Sequence, residues 1–559
     1  MKNLAIAIGL SLFASLIVVA CHADPEDAAG QAEELADPVR RQNAINNLQK
    51  IYSKRLQDND GDRSAAAVQE FATQVCDKLT QAYIDNPMDT QNGLTMLDLM
   101  KEMRDACAIP ALTKALDWRQ EVSEEHAIRA AQTIQFIDVP EGEKAALAQA
   151  IGTSLDKVRQ ARGIDNRMRI EMIRALGSLE STAATPILTK VATAQTEEQN
   201  FLINRLAAQQ IGQLGDPAAV DAMINGLYIF APNNPAMRMN DVAAESLVRI
   251  GRPSLEPLLA VLRGENEEVN AIAQAYIEAV RQRNAEAAEA MSVRQTTGSE
   301  ATYALGSLGF REAMDPLMAE TQAEDAFRKV NGAIALVRLN HAEGDVPRVR
   351  QALLDVYNAM EDDYQGVAFK AQLIAGIRSL YDPETLPFLL AQGRDTDQQP
   401  GVRLEAVTAY ALLANKDEMA RLTTWLAGAE SDAYYQNFVT STEKAVATAN
   451  ECDENIECYI GKLNDAEQEV VRKAAFMLGR LGRGNDQVIA ALVDKLSHQD
   501  AAVRLSAVAA IDRVAVSGSQ AAIDKIDELR EREEGRAIWN EFSREALPIQ
   551  ARLRARLGG

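Results

Sequence analysis

"INRLAAQQIGQLGDPAAVDAMINGL", residues 203–227, decides how this chain folds. Ile203, Ala207, Ile211 and Leu214 recur at the spacing that puts them on one stripe of a helix. Gly215 then stops the helix, and Pro217 starts the next one at a first-turn position where its missing N–H costs little. A second apolar stripe follows, through Val220, Met223, Ile224 and Leu227. A lone helix pair of this length has nothing on which to bury its outer faces. It therefore calls for neighbours of the same kind on either side.

Those neighbours are present. Upstream lies "RIEMIRALGSLESTAATPILTKV" (169–191), and downstream "AAESLVRIGRPSLEPLLAVLRG" (243–264), "ATYALGSLGFREAMDPLMAE" (301–320), "LIAGIRSLYDPETLPFLLAQ" (373–392) and "LEAVTAYALLANKDEMARLTTWL" (404–426). "VRKAAFMLGRLGRGNDQVIAALVDKL" (471–496) and "VRLSAVAAIDRVAVSGSQAAIDKIDEL" (503–529) complete the series. Gly212, Gly215, Gly251, Gly306, Gly309 and Gly482 are expected at the breaks, with Pro217, Pro253 and Pro383 just after them. The breaks at Gly177, Gly212 and Gly251 are 35 and 39 residues apart, a period suited to stacked helical pairs. "LGSLG" (305–309) is turn chemistry of this repeat, not a phosphate-binding loop.

The motif "VRKAAFMLGRLG" is similar to bacterial HEAT repeats, and the resemblance covers most of residues 100–535. It implies an all-α fold, an α-α superhelix of the HEAT-like α-solenoid kind. In that fold the second helices, here 217–230, 253–265 and 485–499, line the groove of an open superhelix. The expected organisation is a preceding helical region at 37–105, an array over 106–535 and a C-terminal capping segment at 536–559. Two stretches exceed the repeat, near 265–300 and 429–459, and insertions in solenoids often serve binding.

The start of the chain carries a different signal. Lys2 is followed by an apolar run from Leu4 to Ala20, too short for a comfortable span, and then "VVAC" before an acidic stretch. This resembles the lipobox of bacterial lipoproteins, which implies cleavage after residue 20 and lipidation of Cys21. Multiple acyl chains anchor stably, at roughly 0.8 kcal/mol per buried methylene. His22 stands where aspartate would favour inner-membrane retention, so the outer membrane of the cell envelope is the expected location. Residues 21–36 read as an acidic flexible tether. A lipobox before helical repeats is similar to HEAT-repeat lipoproteins of predatory and social bacteria.

The sequence holds 58 basic and 81 acidic residues among 559, a net charge of −23. Such a surface repels phosphate backbones, so nucleic-acid binding is disfavoured and a neutral or basic protein partner is favoured. With Cys21 set aside, four cysteines remain, and an exported chain meets oxidising conditions. Three pairings are open. Cys452–Cys458 would close a small loop, and Cys76–Cys107 would then join neighbouring helices.

Catalytic and metal chemistry is not expected. "DNDGDRS" (58–64) alternates Asp58, Asp60 and Asp62 as calcium ligands do, but its glycine stands fourth instead of sixth, so a solvated turn is expected. His22, His126, His341 and His498 are scattered, and no nucleophile elbow, Walker loop or dinucleotide fingerprint occurs. No cofactor or small-molecule substrate is implied. The best binding candidate is the long turn "GLYIFAPNNPAMRMN" (226–240), with Tyr228 and Phe230 as anchors held by proline. The expected function is a lipid-anchored, non-catalytic scaffold that binds another protein. A structural subunit of an outer-membrane complex is the alternative, followed by an enzyme resembling bilin lyases.

Overall fold

Stripes of Ala, Leu, Ile and Val at 3.6-residue spacing fold as helices along nearly the whole chain. The structure, a computed structural model, describes residues 23–87, 89, 92–117, 124–158, 163–194, 200–231, 234–339, 343–533 and 536–558. It is all-α apart from one short hairpin, and its helices are paired as in a HEAT-like solenoid. Among the described residues no helix is long and apolar enough to cross a membrane. The chain divides into two compact units after Leu179.

The first unit contains α1 (Ala28–Glu34), α2 (Arg41–Asp58), α3 (Ala66–Asp85) and α4 (Gly93–Met103). It continues through α5 (Ile109–Leu116), α6 (Glu124–Ile134), α7 (Glu141–Leu155) and α8 (Gly163–Ser178). The expected tether does not extend over 28–36. Ala28, Gln31, Ala32 and Leu35 lie at helical spacing and are buried, so α1 docks on α2 and α3 despite its acidic composition.

Asp58 to Ser64 forms the turn between α2 and α3. Asp60 and Gly61 take positive φ (53° and 83°), and the Asp62 carboxylate accepts from the Ser64 N–H at 2.8 Å and its hydroxyl at 2.7 Å. Cys76 in α3 is bonded to Cys107 in the turn before α5, with Cα atoms 6.2 Å apart. Closing this 31-residue separation is worth roughly 3–4 kcal/mol through the unfolded chain's lost entropy. His126 is a core residue: Tyr83 Oη lies 2.8 Å from its Nδ1, and burial pushes its pKa down.

The second unit opens with α9 (Thr185–Thr193), α10 (Phe201–Leu214), α11 (Val220–Gly226), β1 (Phe230–Ala231) and β2 (Asn234–Arg238). Then come α12 (Asn240–Ile250), α13 (Leu255–Arg263), α14 (Glu267–Arg281), α15 (Ala285–Glu289), α16 (Val293–Leu308) and α17 (Met314–Glu320). α18 (Ala326–Val337), α19 (Val346–Asn358), α20 (Tyr364–Ser379), α21 (Leu386–Arg394), α22 (Pro400–Leu413) and α23 (Lys416–Gly428) follow. The last are α24 (Tyr435–Cys452), α25 (Ile456–Lys462), α26 (Gln468–Leu481), α27 (Asp486–Asp494), α28 (Ala501–Val514), α29 (Gln520–Glu533) and α30 (Ala537–Gly558).

Two kinds of glycine build this array. Gly215, Gly251 and Gly309 end their helices at φ of +64°, +79° and +72°, a conformation that side-chained residues avoid. Gly212 and Gly306, expected at breaks, instead lie inside α10 and α16. A Cβ at Gly212 would sit 2.9 Å from the Ser246 Cα, and one at Gly306 would sit 2.8 Å from the Ala335 Cα. They let successive first helices touch backbone to backbone. After Gly215 and Gly251, and again before α21, Pro217, Pro253 and Pro383 stand in 3-10 turns leading into the second helix. Asp216 and Asp382 cap two of these turns, each accepting a backbone N–H at 3.0 Å.

Buried polar side chains then fasten each first helix to the end of the helix before it. Asn204 Nδ2 donates to the carbonyls of Val191, Ala192 and Ala194 at 3.3, 3.0 and 2.7 Å. Arg403 donates to Gly393 O at 3.1 Å, and Arg504 to His498 O and Gln499 O at 2.8 Å each. These carbonyls are helix-end orphans that would otherwise be buried without a donor. Lys473, fully buried in α26, reaches further. Its ammonium donates to the carbonyls of Ala411, Leu412 and Ala414 at the end of α22, at 2.8, 3.1 and 2.5 Å. The stretch that exceeds the repeat, α24 with α25, is thereby bypassed. Cys452 and Cys458 join these two helices, with Cα atoms 5.3 Å apart.

The groove expected to stay open is closed within this unit. α30 packs on α28 and α29, as a further repeat would, and also on α12 and α16. Arg338 pairs with Glu545 at 2.8 Å, while Arg552 donates to Ser307 O at 3.4 Å and lays its stem against Gly309. All of these closing partners belong to first helices or their ends. Close glycine contacts on that side shorten it, so the array bends until its last helix meets its early ones. The first helices, not the second, therefore face inward.

Candidate protein-binding cleft

The long turn at 226–240 becomes the β1–β2 hairpin, and its placement creates the cleft. Phe230 packs edge-on against Tyr276 of α14, ring centres 5.3 Å apart, and the Arg238 guanidinium lies 4.7 Å from the same ring centre. Two of the departures from the repeat, the hairpin and α14, thus pack on each other. The hairpin then overhangs a cleft of about 820 Å³, walled by α10, α12, α16, α18 and the start of α30.

Its lining is mostly paired charge. Arg205 grips Asp241 with two 2.7 Å hydrogen bonds and also donates to Arg238 O at 2.7 Å. Arg238 pairs with Glu300 at 2.8 Å, and Asn240 donates to that carboxylate at 3.2 Å. Asn331 donates to the Ser299 hydroxyl at 2.9 Å, and Arg338 stands 5.4 Å over the Tyr303 ring. Burial raises the Glu300 pKa, which Arg238 and Asn240 offset only in part. Burial would raise Asp241 as well, but the hydrogen bond and charge of Arg205 hold it below the usual carboxylate range. Burial also raises the Tyr303 phenol. Arg544 has no partner among the described residues. Leu202 and Met237, 58% and 41% exposed, form an apolar rim.

This arrangement suits binding. Among the described residues no histidine or cysteine lines the cleft, its carboxylates are held by arginines, and its serine accepts from an amide. A smaller cavity of about 540 Å³ lies beside the same seam, with Leu308, Phe310 and Leu547 in its wall. Its arginines, Arg249, Arg252 and Arg554, pair with Glu245, Glu312 and Asp527 at 2.7, 2.5 and 2.8 Å.

The anchors expected from the sequence are placed differently. Tyr228 is not available to a partner: it is 1% exposed, and its hydroxyl donates to Thr297 O at 2.8 Å. The turn folds back under α16, so the ring fills the core and the phenol caps a buried carbonyl. Phe230 is half-buried against Tyr276. Cys21, His22, His341, Pro232 and Asn233 lie outside the described residues. His498 accepts from the Asp500 N–H at 3.0 Å in a turn. Cys76 and Cys107 lie near Asp105, but their sulfurs bond each other and Asp105 caps the turn by accepting the Cys107 N–H.

Sequence reasoning missed Leu202 and the arginines. Leu202 could have been found, because it stands one place off the apolar stripe of α10. Arg238 and Arg544 could not, because nothing local tells a cleft arginine from any other surface arginine.

Residues 204–228 match the PBS lyase HEAT-like repeat family. No curated protein matches. Among solved structures, a Kap121p mutant aligns over 90% of this chain and 54% of its own, at 13% identity and a TM-score of 0.38. Importin beta aligns over 95% of this chain and 74% of its own, at 12% identity and a TM-score of 0.31. The chain thus spans about half the length of the Kap121p chain it aligns with. It carries a HEAT-like repeat at α10–α11, within an all-α helical-repeat array.

Proposed function

We propose that this chain is a non-catalytic scaffold that binds another protein through the cleft under the β1–β2 hairpin, and that a lipid on Cys21 holds it at the cell envelope, in the outer membrane. The observation that carries the binding half is the apolar rim of Leu202 and Met237 above a lining in which the carboxylates are paired with arginines. Exposed aliphatic anchors ringed by engaged polar groups are what a protein interface uses, whereas catalysis needs a group free to react. The match of residues 204–228 to the PBS lyase HEAT-like repeat keeps an enzyme resembling bilin lyases as the alternative.

The binding half is tested by crosslinking in intact cells with the wild-type chain and with Leu202→Asp/Met237→Asp. Both side chains are exposed, so the variant should fold and lose the crosslinked protein. An unchanged crosslink pattern would remove the cleft from the interface. The anchoring half is tested by Cys21→Ser, which should release the chain from the membrane fraction or leave its precursor uncleaved. Normal processing with unchanged membrane association would refute lipidation at that residue.

A further inference from the structure

The cleft opposes the sign of the molecule that contains it. The chain carries −23 overall, yet among the described residues Arg205, Arg238, Arg338 and Arg544 face Asp241, Glu300 and Glu545 in the cleft. Three of these arginines are paired, and burial pushes Glu300 toward its neutral form. Arg544 is exposed and lacks a partner among the described residues, and it lies close enough for its charge to act on the Tyr303 phenol. Leu202 and Met237 line the same opening.

We propose, resting on the scaffold reading above, that the cleft takes an acidic peptide segment of its partner protein. Arg544 and the Tyr303 hydroxyl receive a carboxylate, and Leu202 and Met237 receive a neighbouring aliphatic side chain. A basic segment is disfavoured here. It would have to take Asp241 or Glu300 from its arginine and leave that cation half-buried without a counter-charge. The expectation of a basic partner, drawn from net charge, describes the long-range field and not this opening. That field repels an acidic ligand, so added salt should speed its association while also weakening its hold on Arg544.

The test uses two fluorescent ten-residue peptides, one of alternating leucine and glutamate and one of leucine and lysine, titrated against the full chain by anisotropy. The acidic peptide should bind, with affinity falling about tenfold in Arg544→Glu and in Leu202→Asp. Both positions are exposed, so unchanged melting curves will separate lost binding from lost folding. Tighter binding of the basic peptide, abolished by Leu202→Asp, would overturn the acidic preference and leave the scaffold reading intact. Acidic binding indifferent to both substitutions, or no binding of either peptide, would overturn the proposal, while the crosslinking experiment decides the scaffold reading separately.

Discussion

Tyr228→Ala should destabilise the second unit by about 4 kcal/mol, within the range for removing a large buried aromatic. The ring is enclosed between the end of α11 and α16. The phenol adds to this effect. Its hydroxyl donates to Thr297 O at 2.8 Å, and burial raises its pKa well above the ordinary tyrosine value. With the donor gone, a buried carbonyl loses its partner. Tyr228→Phe keeps the ring and should cost only about 1 kcal/mol. Urea unfolding of the two variants separates packing from hydrogen bonding, and wild-type stability in the alanine variant would contradict the core role. Any loss of partner binding on Tyr228→Ala would then follow from local unfolding beneath the hairpin.

Asp512→Ala should cost about 3–5 kcal/mol, because it strands two cations instead of one. Asp512 accepts from Arg552 at 2.7 Å and from Arg556 at 2.8 Å, both guanidiniums being almost wholly buried. Burial would raise the Asp512 pKa, but the charges and hydrogen bonds of Arg552 and Arg556 together hold it below the usual carboxylate range. A carboxylate depressed in the folded state contributes stability above its unfolded pKa, about 3.9. That contribution is lost as pH falls through the lower folded value.

Acidification below about pH 4 should therefore destabilise the native chain through this group, and Asp512→Asn should lack that component. Arg552 also donates to Ser307 O, so its release should loosen α30 from α16. Hydrogen exchange should quicken in α30 and at the ends of α12 and α16. Protection unchanged across that seam would show that Asp512 does not hold the closure.

The candidate site was only half visible before the fold was known. The turn at 226–240 stood out because its prolines and aromatics break the repeat, and it does overhang the cleft. Its most conspicuous residue, Tyr228, misled, because composition cannot tell a buried anchor from an exposed one. The turn at Asp58–Ser64 was readable from spacing, whereas the sequence left three cysteine pairings open, of which the fold holds Cys76–Cys107 and Cys452–Cys458.

Helix content, the repeat, and the stops at Gly215, Gly251 and Gly309 were determined by the sequence itself. Each depends on a periodicity or a backbone preference acting within a few residues. Only the tertiary structure decided that Gly212 and Gly306 serve helix contact instead of termination, since that depends on Ser246 and Ala335 in the next helices. It also decided the closure. Arg552 meets Ser307 across 245 residues of chain, and Tyr228 meets Thr297 across 69. Small bends accumulate at each repeat interface, and no local pattern records their sum. Which side of the second unit is shortened, and so the meeting of α30 with α12 and α16, follows from close packing between helices far apart in the chain.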